Sequence, residues 1–324
     1  MSEVAVYPRW VGDIGGTNAR FAWLEAPGAP LTDEAIYPGA DHATLQAAMR
    51  HYLDAHGKKT PRWAAIGIAN PVTGDHVQMT NHHWSFSIDA VRQALGLERF
   101  VVINDFTALA LSLPELQPAD LHQIGPGVSV PGAAKALLGP GTGLGVSGLL
   151  PTRGGQGWVP VAGEGGHVTL SGTNAEEDAV IGVLRRRYGH ASAERALSGP
   201  GLEALHAALI ELDGAAASGL SAAQITSAAL AGTDARCGRT VDLFLALLGT
   251  VAGNLALSLG ARGGVYIGGG IVPRFGDRVL TSPLRARFEA KGRFTDYLRR
   301  MPLLVIQART SPALWGAARA LDEL

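Results

Sequence analysis

An apolar, strand-like run in VGDIGGTNARFAWLE (Val11–Glu25) carries one aspartate, reverses at Gly15 and Gly16, and resumes beyond Thr17 and Asn18. A backbone turning this tightly, or meeting a ligand this closely, favours residues without a Cβ. The theme returns in AKALLGPGTGLGVSGLL (Ala134–Leu150), one copy in each half of the chain, although the residues of the copies hardly match. Glycine supplies 43 of the 324 residues, nearly double the usual share of about 7%. It gathers at Gly15–Gly16, Gly139–Gly145, Gly163–Gly166 and Gly268–Gly270, each time beside a strand-like run. The expected architecture is a pair of related α/β domains facing one cleft, each offering a turn to the ligand.

The remaining elements are read in order. A third strand is expected near Glu34–Tyr37, a helix over Thr44–His56, and a strand at WAAIGIA ending before Asn70 and Pro71. PVTGDHVQMTN reads as a hairpin with Thr73, Gly74 and Asp75 at its turn. A short helix over Ile88–Leu95 leads into RFVVIND, a buried strand whose carboxyl end carries Asn104 and Asp105, followed by a helix in FTALALSL. Prolines 114, 118, 126 and 131 make residues 114–132 the best domain joint. WVPVAGEGGHVTL, GGVYIGGGIVP and MPLLVIQA add strands, helices dominate residues 176–260, and Ser311-Pro312 reads as a serine cap with proline in the first turn of a last helix.

Composition excludes several classes. A net charge of −1 leaves no surplus of Lys and Arg to neutralise a nucleic-acid backbone. The single Cys237 excludes an internal disulfide framework and a multi-cysteine zinc site. MSEVAVYPRW lacks the basic and apolar regions of a secretory leader, so a cytoplasmic location is expected. LFLALLGTVAGNLALSLG (Leu243–Gly260) is nearly uncharged, with Gly249 and Gly253 at the spacing of membrane helix pairs. Asn254 lies inside it and Asp242 at its start, so a buried helix with close-packing glycines is the expected reading.

Exposed amides of a glycine-rich turn form a concavity suited to anions, and Thr17, Asn18 and Thr142 add side-chain donors. Asp13 would repel phosphates unless a cation stood between them. Mg²⁺ is held by one or two carboxylates with waters and phosphate oxygens, so Asp13 is the candidate metal anchor of a nucleotide triphosphate clamp. No G-x-x-x-x-G-K-[ST] motif is present, and GPGTGLG lacks the last glycine and the following helix of a dinucleotide fingerprint. Asp105, at a strand's carboxyl end and before a helix, is either the catalytic base, kept ionised by the helix amino terminus, or an ordinary N-cap. Glu164 and His167 in GEGGH suit sugar hydroxyls better than a metal. His82-His83 reads as a solvated hairpin end, and nothing in the spacing of Glu194 sets it apart from a helical surface residue.

VGDIGGTNAR, MTNHHWSFS, INDFTA, GPGTGLGV, GEGGHV, SAERALSGPGL, GGVYIGGGIVPRF and KGRF occur in this order across nearly the whole chain. In this the chain resembles the bacterial glucokinases, of the zinc-free group in the superfamily that joins sugar kinases, heat-shock chaperones and actin. The resemblance implies a two-domain actin/hexokinase-like (ribonuclease H-like) fold with an interdomain active-site cleft. It implies a small domain of residues 1–115 with 305–324, since the tail helix returns to the first domain in this family, and a large domain of 116–304. The implied activity is ATP-dependent phosphorylation of glucose at its 6-hydroxyl, with Mg²⁺, in a homodimer.

Carried over by position, Asn104 and Asp105 would hold the sugar, with Asp105 as base, and Glu164, His167 and Glu194 would bind its hydroxyls. Asp13, Gly15, Gly16, Thr17 and Asn18, with Gly141, Thr142 and Gly143, look like the two phosphate segments; Gly268, Gly269 and Gly270 look like the adenosine segment. The alternative activity is a kinase of another hexose, such as mannose, fructose or N-acetylmannosamine. An actin-like scaffold would have no use for the set Asn104, Asp105, Glu164 and His167. A repressor on this fold would carry a DNA-binding extension before Asp13, where a dozen residues stand.

Overall fold

The computed structural model describes residues 6–324 except Asn81, Gln156 and Arg309. The start of the stretch judged against a secretory leader, and Asn81 of MTNHHWSFS, thus lie outside the described residues. Those described fall into two units: the residues up to 117 with those of 152–162 and 308–324, and the residues of 118–151 with 163–307.

The first unit opens with β1 (Arg9–Ile14), β2 (Asn18–Leu24) and β3 (Leu31–Pro38), followed by α1 (Leu45–Ala55) and β4 (Trp63–Ile68). Next come β5 (His76–Gln78), β6 (Ser85–Ser87), α2 (Ile88–Leu95), β7 (Arg99–Asn104) and α3 (Asp105–Ser112). Its main sheet has the order β3-β2-β1-β4-β7, antiparallel on the β1–β2–β3 side and parallel across β1, β4 and β7. Side chains alternate between the two faces of a strand. Trp10, Ile66 and Ile68 therefore join one apolar cluster with α1, while Val11, Trp63 and Ala65 join another with the C-terminal helix. That is why β4 is buried along its whole length and reads as a continuous apolar run.

The C-terminal helix, Pro312–Glu323, completes this unit. A Cβ on Gly316 would overlap the carbonyl of Ala108, so glycine is what lets this helix seat against α3. It also runs along β1. Arg9, at the start of β1, donates to Asp322 through both terminal nitrogens (2.7 and 2.5 Å) and to the Ala318 carbonyl (2.9 Å).

The second unit begins with β8 (Leu121–Ile124), β9 (Lys135–Pro140) and β10 (Leu144–Pro151); β11 (Trp158–Ala162) belongs to the first unit. Then follow α4 (Ala175–Tyr188), α5 (Gly199–Leu212), α6 (Ala222–Ala231), α7 (Ala235–Leu259), β12 (Val265–Ile267), α8 (Arg278–Thr281), α9 (Leu284–Glu289), α10 (Thr295–Arg299) and β13 (Leu303–Ile306). Its strands run in the order β10-β9-β12-β13-β8. As in the first unit, a hairpin turning on glycines, β9–β10, continues into parallel strands, β12 and β13.

The apolar segment around Gly249 and Gly253 is the interior of α7, an Asp234-capped helix ending at Gly260 (φ 61°). It is buried in the core of the second unit. A Cβ on Gly253 would lie 2.6 Å from the Phe288 carbonyl, and one on Gly249 would overlap that of Leu284, so the two glycines seat α9. Lys291 of KGRF then bridges back to α7, donating to the Thr250 carbonyl (3.0 Å) and Asn254 Oδ1 (2.6 Å).

Two local expectations are corrected. The hairpin does not turn at Thr73–Asp75, because β5 pairs with β6 in the register His76↔Ser87 and the reversal lies beyond Gln78. Asp75 is engaged instead at the start of α2, where its Oδ1 accepts from the Asp89 amide (2.8 Å). Ser311 precedes the last helix but makes no side-chain cap; its hydroxyl donates to Asp13 Oδ2 at 2.7 Å.

Candidate active site

In the first unit the parallel strands β1, β4 and β7 bring their carboxyl ends side by side, the location where ligands of open α/β sheets gather. Asp13 is in register with Gly67, and Ile68 with Asn104. A Cβ on Gly67 would stand 3.0 Å from that of Ala108 and 3.5 Å from the Asp105 Cα. Without a side chain there, the first turn of α3 drops onto the sheet next to Asp13.

The cap of α3 is Asn104, correcting the N-cap alternative for Asp105. Asn104 Oδ1 accepts from the amides of Phe106 (2.9 Å) and Thr107 (3.2 Å), and its Nδ2 donates to Asp105 Oδ1 (2.9 Å). The Phe106 amide also donates to Asp105 Oδ1 (2.9 Å), so one carboxylate oxygen is fixed, and among the described residues Oδ2 accepts no hydrogen bond from another residue. Burial, and then the negative field of Asp13, push the Asp105 carboxyl up to about 6, against the hydrogen bonds from Phe106 and Asn104. The expectation that the helix terminus favours its ionised form is therefore outweighed. Above that pH it is nonetheless an ionised, partly desolvated base.

Asp13 is itself raised by burial, which exceeds the opposing effects of the Ser311 hydroxyl and of Arg20, its cross-strand partner on β2. Beyond Asp13 the hairpin turns with the Gly15 amide donating to the Asn18 carbonyl (2.9 Å). Thr17 and Asn18 are exposed at its tip, with Gly15 and Gly16 half-buried beside them. Asn70 Oδ1, just past β4, accepts from the Thr80 amide (3.1 Å) and hydroxyl (2.8 Å). Neither residue was singled out from sequence, since each matters only through contacts distant along the chain.

In the second unit, GEGGH is pressed onto the start of β10. A Cβ on Gly166 would overlap the Leu144 carbonyl, and one on Gly165 would stand 2.7 Å from Val146 Cγ1. Glu164 and His167 are exposed at the ends of this loop, linked by the His167 amide donating to the Glu164 carbonyl (3.0 Å). Glu194 is not on a helix. It lies in a turn where its amide donates to the Gly166 carbonyl (2.9 Å) and its Oε2 accepts from the Leu144 amide (2.9 Å). That carboxylate occupies the space a side chain on Gly143 would need. Gly143, the GEGGH loop and Glu194 thus form one hydrogen-bonded cluster.

The β9–β10 turn closes with the Gly141 amide donating to the Gly143 carbonyl (2.8 Å), and Gly141 in turn accepts from the Gly199 amide (2.9 Å). After β12, the Gly268 amide donates to the Leu138 carbonyl (2.9 Å), and a Cβ on Gly269 (φ 76°) would overlap the Pro140 carbonyl. Gly268–Gly270 is therefore held against the end of β9. Gly141, Thr142 and Gly270 border a cavity of about 680 Å³ whose far wall is α6, through Ala222, Thr226 and Leu230. That wall was missed from sequence; its signal is the run of small residues along one face of α6. Among the described residues no three His, Cys, Asp or Glu side chains are grouped to hold a metal. His82 packs against the rings of both His83 and Trp84.

The family model for glucokinase matches residues 10–324. The chain is 56% identical over 317 residues to the glucokinase of Aromatoleum aromaticum, covering 98% of this chain and 95% of that one. It is 52% identical to the glucokinase of Chromobacterium violaceum, covering 98% and 90%. The crystal structure of a glucokinase from an Antarctic psychrotroph superposes with a TM-score of 0.89 at 36% identity, over 98% of this chain and 99% of that one.

Proposed function

The chain belongs to the glucokinase family, and from that membership we propose how its residues carry the reaction. It is an ATP-dependent hexose kinase with the actin/hexokinase-like α/β fold, and it phosphorylates glucose. The finer reading is transfer to the 6-hydroxyl with Asp105 as general base. One observation carries it: Asp105 stands at the carboxyl end of β7 with Oδ1 fixed by Asn104 and Phe106, and its carboxyl titrates at about 6. Such a group is ionised at neutral pH yet basic enough to accept a proton.

Phosphoryl transfer passes through a loose, in-line transition state, so positioning and charge neutralisation dominate. In this reading Asn104 and Asp105 hold the sugar, and Glu164, His167 and Glu194 bind its other hydroxyls. Asp105 takes the hydroxyl proton as the new O–P bond forms. The amides around Gly15, Gly16, Thr17 and Asn18, and those of Gly141, Thr142 and Gly143, face the phosphates; Gly268–Gly270 and the cavity against α6 take the adenosine.

Magnesium fits the donors present. Asp13 Oδ2 is held by Ser311, while Oδ1 accepts no hydrogen bond among the described residues, which suits an ion kept by one carboxylate, waters and phosphate oxygens. When bound it would supply neutralisation of phosphate charge. The two-domain division, 1–115 with 305–324 against 116–304, has in its favour the unit boundary after Gln117 and the return of residues 308–324 to the first unit, and against it the place of residues 152–162 in that same unit. The enzyme would act in the cytoplasm as a homodimer. A coupled ADP-release assay across hexoses, with and without Mg²⁺, tests the reading. Glucose should be the preferred acceptor and Mg²⁺ required; a higher rate on another hexose, or turnover without Mg²⁺, would overturn it.

A further inference from the structure

The structure assigns Ser311 as a positioning residue that fixes the carboxylate of Asp13 so that Oδ1 is the oxygen presented to a nucleotide's metal. This rests on the reading of Asp13 as the magnesium anchor. Serine before a proline-started helix normally spends its hydroxyl on the helix's own free amides. Ser311 does not: no cap bond is made, and its hydroxyl donates to Asp13 Oδ2 at 2.7 Å, across 298 positions of sequence.

The geometry holding this bond is firm at both ends of the helix. The helix lies antiparallel to β1, with Ser311 on Asp13 near the strand's end and Asp322 on Arg9 at its start. The two spans are similar, about 13 Å of strand against about 16 Å of helix, at rises of about 3.3 and 1.5 Å per residue. Gly316 keys the middle of the helix against α3 at Ala108. Ser311 is therefore delivered to Asp13 by a rigid element, the requirement for a residue that orients another. With Oδ2 occupied, the carboxylate loses a rotational choice.

The test is calorimetric binding of ADP, with Mg²⁺ and with chelator, to wild type, Ser311→Ala and Ser311→Thr, in parallel with glucose affinity and Tm. The gain in ADP affinity that Mg²⁺ confers should fall about 10-fold in Ser311→Ala, the lower end of what one hydrogen bond to a charged group is worth. Glucose affinity should stay within about 2-fold, and Ser311→Thr, which keeps the hydroxyl, should restore the gain. A magnesium gain unchanged in Ser311→Ala, or lost equally in Ser311→Thr, overturns the assignment of Ser311 alone. A wild type whose ADP affinity ignores Mg²⁺ overturns the role of Asp13, and the assignment with it.

Discussion

The side-chain amide of Asn104 donates to Oδ1 of Asp105 at 2.9 Å, so the residue that caps α3 also steadies the candidate base. Protonation of Asp105 should remove activity below its pKa of about 6. The logarithm of kcat/KM should fall with unit slope below that pH. Asn104 holds the pKa down, so Asn104→Ala should move the acid limb to higher pH. A profile flat to pH 5 would refute the assignment.

The same shift has a stability consequence. The folded state favours the protonated acid, with a pKa of about 6 against 3.8 for an unperturbed aspartate, so stability is lost as pH rises from the lower value through the higher. Once both states are ionised the cost reaches about 3 kcal/mol. Asp105→Asn keeps the acceptor for Phe106 and escapes that cost. Its Tm should exceed wild type at pH 7.5, with the difference closing towards pH 4; an unchanged or lowered Tm at pH 7.5 would contradict this.

Glu194 holds the Leu144 amide at 2.9 Å beside the GEGGH loop. Glu194→Ala removes the acceptor of that amide and, on the proposed reading, a sugar ligand. The glucose KM should rise about 10- to 100-fold, the range for one charged hydrogen bond, with the KM for ATP little changed. Steady-state kinetics against each substrate decide it, and an unaltered glucose KM would remove Glu194 from the site.

In α7, Gly253→Ala sets a Cβ 2.6 Å from the Phe288 carbonyl. Moving α9 away should cost about 1–3 kcal/mol, read as a lower urea midpoint. An unchanged midpoint would show that the α7–α9 packing is looser than described.

Much of this was legible because it is local. The strands ending at Ile14, Ile68 and Asn104, and the two glycine turns, follow from apolar runs broken by residues without side chains. What sequence could not show is set by partners far along the chain. Asp75 left the hairpin turn because α2 needed its carboxylate, and Ser311 left its cap because Asp13 lay within reach. Glu194 has no periodicity to mark it; its place depends on Leu144, 50 positions away. The raised pKa of Asp105 comes first from burial and then from Asp13, which only the register of β1, β4 and β7 brings near. The α6 wall of the cavity is a face of small residues, and such a face signals close approach without saying of what.

The role proposed for Asp105 is to remove the proton from the sugar hydroxyl, and kcat for Asp105→Asn alongside its Kd for glucose tests it. A lost base predicts kcat lower by about 10²–10⁴, with glucose bound nearly as well as by wild type. Turnover close to wild type, with glucose saturating, would contradict it.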